Sequence, residues 1–174
     1  MKNCLFISFL LLAFVSNAQT IQSPSKEIIL NFSLSNDGKP TYEVLYKNNP
    51  VVKKSTLGIK LKQGGDLISE FSMDSIRHRT VNETWQPVLG EQSNIKNNYN
   101  ELTINLTQKS TARKLNLIFR VFNEGVAFRY EFPKQANLNY FIISNEESEF
   151  NLAGDHKTFW LPGDFDSQEY VYNE

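Results

Sequence analysis

Cysteine is almost missing from this chain. Of 174 residues only Cys4 is one, and it sits within an apolar run at the very start. The remainder has no thiol, which excludes disulfides, cysteine-ligated zinc and a thiol nucleophile. Histidine is nearly as scarce, with His78 and His156 alone. They form no pair at metal-ligand spacing, so a histidine zinc site is disfavoured. No nucleophile-elbow motif accompanies them to suggest a Ser-His-Asp triad. Neither sign of charge dominates: 18 Lys and Arg face 19 Asp and Glu, a formal net charge of −1. No basic face therefore advertises nucleic acid. Past the first residues no apolar run approaches the about 20 residues that cross a bilayer. There is no segment with a helical apolar period, no internal repeat and no low-complexity tract.

The start of the chain has the layout of a secretory signal. Lys2 gives a positive first segment, residues 5–15 are apolar, and Ser16-Asn17-Ala18 supplies small residues for cleavage after Ala18. The run is short for a membrane anchor. The expected organisation is a signal peptide over residues 1–18 and one domain over residues 19–174.

That domain reads as strands. Ile28, Leu30, Phe32 and Leu34 alternate with Ile29, Asn31 and Ser33, as a half-buried strand requires, because successive side chains point to opposite faces. Asn36-Asp37-Gly38 supplies turn chemistry, and Tyr42, Val44 and Tyr46 follow on one face of the returning strand. Leu57, Ile59 and Leu61 alternate in the same way. So do Leu102, Ile104 and Leu106, and then Leu115, Leu117, Phe119 and Val121. Asn123-Glu124-Gly125 turns the chain into Val126, Phe128, Tyr130 and Phe132, and residues 140–143 give a last short strand. Many short strands with frequent turns predict an all-β antiparallel sandwich. Residues 63–100 and 144–155 are polar and are expected outside the sheets. The sequons at Asn31, Asn82 and Asn105 are read as chance, two of them falling within predicted strands.

Several blocks then agree in order. Glu83-Thr84-Trp85-Gln86-Pro87-Val88 with Gly90-Glu91 comes first, followed by Phe122-Asn123-Glu124-Gly125 and by Phe128-Arg129-Tyr130-Glu131-Phe132-Pro133. Gly154-Asp155-His156 precedes a run from Phe159-Trp160-Leu161-Pro162-Gly163-Asp164 to Phe165-Asp166-Ser167-Gln168-Glu169-Tyr170. Together these blocks resemble glycoside hydrolase family 97 over about residues 22–174. The resemblance is nearest to the periplasmic α-glucosidase branch of bacterial starch-utilisation systems. Two positions depart from it: Leu89 stands where the family has Trp, and Phe165 where it has Tyr.

The resemblance implies an N-terminal β-sandwich of the super-sandwich kind, a central (β/α)8 barrel and a small C-terminal β-domain. It implies exo-acting cleavage of α-glucosides or α-galactosides, with the acid and the base or nucleophile on the barrel, so that no catalytic residue lies in this chain. It implies an active-site Ca2+ with one carboxylate ligand from the sandwich, at the position of Glu169. The expectation is thus a domain cut at its C-terminal edge before the barrel. It would brace that barrel and be inert alone, as part of a periplasmic α-glucosidase acting on starch-derived oligosaccharides.

Other readings of these residues remain. Asp164 and Asp166 suit turn-shaping better than metal binding, since no EF-hand glycine follows them. Trp160 and His156 are candidate substrate contacts. Against that, core packing is the common fate of tryptophan in a sandwich, which holds for Trp85 too, and a hydrogen-bonded structural role is common for a histidine beside Asp155. A stand-alone carbohydrate-binding or interaction module would fit the same fold, since fold does not fix function. Calorimetry against maltooligosaccharides separates that module from an enzyme domain.

Overall fold

The computed structural model of the chain describes residues 18–157. Four strands, β1 (Gln19–Gln22), β2 (Ile28–Leu34), β3 (Pro40–Tyr46) and β4 (Asn49–Thr56), pair in chain order as one antiparallel sheet. A short strand β5 (Ile59–Leu61) leads away from it. Then β6 (Phe71–Trp85), β7 (Ile95–Gln108), β8 (Lys114–Phe122) and β9 (Val126–Glu131) make the second four-stranded antiparallel sheet, again in chain order. A 3-10 turn at Ala136–Leu138 precedes β10 (Ile143–Glu146), which pairs with β5. The sandwich expected from the alternation is what forms.

The core lies between the two four-stranded sheets. Leu30 and Phe32 from β2 meet Leu102, Ile104 and Leu106 from β7 and Leu115, Leu117, Phe119 and Val121 from β8, all essentially without solvent exposure. Each such side chain contributes about 1.5–3 kcal/mol relative to staying in water. Phe119 joins the layers, its ring centroid 5.9 Å from Phe32 and 6.0 Å from Phe128. One turn holds the sheets close through backbone hydrogen bonds. Gly38 has φ +73°, and a Cβ there would lie 2.6 Å from the backbone nitrogen of Phe71. Phe71 N–H donates to the Gly38 carbonyl and Glu70 N–H to that of Asp37, so only glycine fits where β6 begins.

Four expectations need correction. Residues 63–100 are irregular only in part: 63–70 and 86–94 lie outside the long strands as expected, but β6 and β7 form a long hairpin paired from Phe71↔Gln108 to Trp85↔Ile95. Its alternation was hidden because β6 is a sheet edge with water on both faces; residues 74–80 are all exposed. Residues 144–155 also pair. Ile143–Glu146 is β10, and Lys53 N–H donates to the Asn151 carbonyl while Ala153 N–H donates to that of Val51, along β4. An edge position makes this segment polar as well. The strand expected at 140–143 begins only at Ile143, and Tyr140 is exposed. Trp85 is not core: it is half-exposed at the end of β6. The strand β4 is a further element that the alternation did not announce. Its signal was Lys47-Asn48, where both residues take positive φ as a two-residue hairpin of type I′ requires.

Candidate functional site

Glu169 and Trp160, with Asp164 and Asp166, lie outside the described residues. His156 lies near their end, exposed, with its ring against Gly154: a Cβ at Gly154 would meet His156 Nε2 at 2.9 Å. The rail that brings the chain there is the segment laid along β4. Glu149 fixes it twice, its carboxylate accepting from Thr56 N–H at 2.9 Å and its carbonyl accepting from the Tyr42 hydroxyl at 2.9 Å. Phe150 then sits against Tyr42 and Phe128, with centroids 6.4 and 5.9 Å away.

Beside that rail the sandwich opens into a cleft of about 850 Å³. Its walls are apolar, with Tyr42, Val44, Val52, Val126, Phe128 and Phe150 among them. Burial pushes the Tyr42 phenol up to about 12, helped by the neighbouring Tyr130 and by the Glu149 carboxylate. Tyr130 is raised too, chiefly by burial, while its hydroxyl oxygen accepts from Gly58 N–H at 3.0 Å and shares a hydrogen bond with the Ser148 hydroxyl at 2.8 Å. Both phenols are thus neutral packing groups at ordinary pH. The cleft has the surface of an unfinished core rather than of a catalytic centre.

A second hollow, of about 450 Å³, lies on the opposite face of the β6–β9 sheet and is polar. The register builds it in rows. Arg77 pairs with Thr103, which pairs with Ile118, which pairs with Arg129. In the adjacent row Arg79 pairs with Glu101, which pairs with Arg120. Arg120 donates through Nε to the buried Glu101 carboxylate at 2.8 Å, and its guanidinium lies 4.7 Å from the Tyr99 ring centre.

The β6–β7 hairpin ends in an exposed apolar tip. Val88 and Leu89 are 99% and 90% exposed, beside half-exposed Trp85. Such large exposed apolar groups grouped on one tip suit contact with another surface. The chain's reach toward a metal is narrower. Among the described residues no group of three or more His, Cys, Asp or Glu comes together. They do not fit a Ca2+ site by themselves, since that ion takes six to eight oxygens. Among the same residues no helix is long and apolar enough to cross a membrane.

Comparison with known proteins agrees with this architecture. The family profile described as Glycosyl-hydrolase 97 N-terminal matches residues 21–174. A glycoside hydrolase family 97 enzyme from Pseudoalteromonas sp. strain K8, solved with acarbose, superposes with a TM-score of 0.81 at 32% identity. The match covers 89% of this chain and 24% of that one. The E480Q form of that enzyme with panose gives a TM-score of 0.80 at 31% identity, with the same coverage. A probable retaining alpha-galactosidase of Streptomyces bingchenggensis (strain BCW-1) is 28% identical over 137 residues, 79% of this chain and 20% of the relative. The chain therefore spans about a fifth to a quarter of the length of these relatives.

Proposed function

This chain belongs to glycoside hydrolase family 97, as its N-terminal domain, and from that premise we propose that it is the sandwich of an exported, calcium-dependent, exo-acting α-glycosidase. The observation that carries the reading is the family match over nearly the whole chain outside residues 1–20. The substrates proposed are α-glucosidic bonds of starch-derived oligosaccharides. The relatives solved with panose and with acarbose favour glucosides, although an α-galactosidase also matches. The residue pattern at 1–18 supports export and a periplasmic location.

The domain's proposed work is support and ligation. A (β/α)8 barrel elsewhere in the same polypeptide would carry the acid and base carboxylates. The exposed tip of Val88 and Leu89 and the apolar cleft are the surfaces available to brace it. Glu169 would supply one carboxylate to Ca2+, which when bound can polarise sugar oxygens and steady developing charge. His156 and Trp160 are the proposed sugar contacts of this chain, on the same stretch as Glu169.

The test is hydrolysis. The full-length polypeptide should release sugar from an aryl α-glucoside in the presence of Ca2+ and lose that activity in a chelator, whereas residues 19–174 alone should release none. Turnover by the domain alone, or full-length turnover indifferent to chelation, contradicts the proposal.

A further inference from the structure

The polar hollow on the outer face of the β6–β9 sheet is not used by the function proposed above. Four arginines line it, Arg77, Arg79, Arg120 and Arg129, against two carboxylates, Glu101 and Glu131. The carboxylates are both engaged: Glu101 with Arg120 at 2.8 Å, and Glu131 with Arg129 at 3.5 Å and with the Asn116 amide at 3.0 Å. Among the described residues the Arg77 and Arg79 guanidiniums have no hydrogen-bond or ion-pair partner. The hollow therefore holds two uncommitted positive charges and no uncommitted negative one.

Its floor holds an independent sign. Thr103 is 5% exposed, and its Oγ1 is the one buried side-chain polar atom among the described residues without a hydrogen-bond partner. Leaving such a hydroxyl unpaired costs about 1–3 kcal/mol, so its retention on the floor asks for a purpose. The register sets it directly beside Arg77 on one strand and next to the Arg79–Glu101 row. A hydroxyl that can donate, lining one hollow with the Arg77 and Arg79 guanidiniums, is the donor set that planar or tetrahedral oxyanions take. Long exposed arginine arms rearrange fast enough to admit an anion to the screened hydroxyl.

We propose that this hollow is an oxyanion-binding site, in which Arg77 and Arg79 hold the charge and the Thr103 hydroxyl completes the hydrogen bonding. The anion is a sulfate or phosphate, or the carboxylate of an acidic sugar. A neutral sugar lacks the charge that the two free guanidiniums call for.

The experiment is titration calorimetry on the full chain with sodium sulfate, phosphate, glucuronate and glucose in turn, chloride holding ionic strength constant. Saturable binding of at least one oxyanion is expected, and none of glucose. Sulfate and phosphate binding would assign a free inorganic ion, and glucuronate binding alone would assign an acidic sugar. Arg77→Gln and Arg79→Gln should each weaken it about tenfold, as loss of a charged hydrogen bond does. Thr103→Val, close in shape, should weaken it severalfold while leaving the melting temperature equal or higher, because it removes an unpaired buried hydroxyl. Heats that follow ionic strength alone, glucose binding as tight as glucuronate, or affinity unchanged in Arg77→Gln or in Thr103→Val would each overturn the assignment.

Discussion

The molecule's two hollows lie on opposite sides of one sheet and meet at β9, where Val126 and Phe128 line the apolar cleft and Arg129 and Glu131 the polar hollow. Along β8, Leu117, Phe119 and Val121 face the apolar side, where the core continues into the open cleft, while Asn116, Ile118 and Arg120 face the polar one. The cleft is finished by burial, and whatever covers it must be apolar. Among the described residues the polar hollow has its carboxylates paired but leaves the Arg77 and Arg79 guanidiniums and the Thr103 hydroxyl without partners. The difference teaches that one period-two sequence can encode a packing surface and a recognition surface at once, and that the two should respond differently to substitution.

The largest response should come from the apolar side. Phe119→Ala removes a ring packed on Phe32, Tyr42 and Phe128 and should cost about 3–5 kcal/mol in urea unfolding. Its neighbour Ile118, also buried but on the polar face, should cost less as alanine, about 2 kcal/mol, because the polar arms lining that face can close over the gap. Equal losses would erase the distinction between the faces. Next comes Arg120→Met, which strands the buried Glu101 carboxylate. Its expected cost is about 1–3 kcal/mol, tempered because the guanidinium is 38% exposed.

The cleft's phenols give a smaller, pH-dependent effect. Tyr42 keeps its proton in the folded state up to about pH 12, whereas its ordinary value is 10.0. Between those values the unfolded chain sheds a proton that the folded chain holds, so stability is full below pH 10 and falls as pH climbs toward 12. Tyr42→Phe should flatten part of that fall and cost about 1 kcal/mol at neutral pH for the bond to the Glu149 carbonyl. An unchanged alkaline slope in denaturant titrations would show that the Tyr42 phenol is solvated. Smallest of all, Val88→Asp and Leu89→Asp at the hairpin tip should leave stability within about 0.5 kcal/mol, as exposed positions do. Loss of turnover in the full-length enzyme without loss of stability would then mark the tip as a contact to the rest of the polypeptide.

Much of the sandwich was legible because burial on one face writes itself into every second residue, as in Ile28, Leu30 and Phe32. Edges are where that writing stops. Residues 74–80 of β6 meet water on both faces, and the segment after Ser144 lies on an exposed rim, so neither shows a period. Trp85 misled for a related reason: its size suggests a core, but hairpin length carries it beyond the opposing sheet. The polar hollow was illegible too, since Arg77, Thr103 and Arg120 are far apart in sequence and only the register brings them together. The residues assigned by family likeness alone, Glu169 and Trp160, lie outside the described residues, and His156 marks the approach to them.

The proposal that this domain lends a ligand to a shared calcium centre rests most heavily on one carboxylate, and calcium titration of full-length Glu169→Gln against the unaltered enzyme tests it most directly. With hydrolysis of an aryl α-glucoside as the readout, the variant should need at least about tenfold more Ca2+ for half-maximal turnover, the scale on which losing a charged contact acts. A calcium dependence and a maximal rate that both match the unaltered enzyme would contradict it.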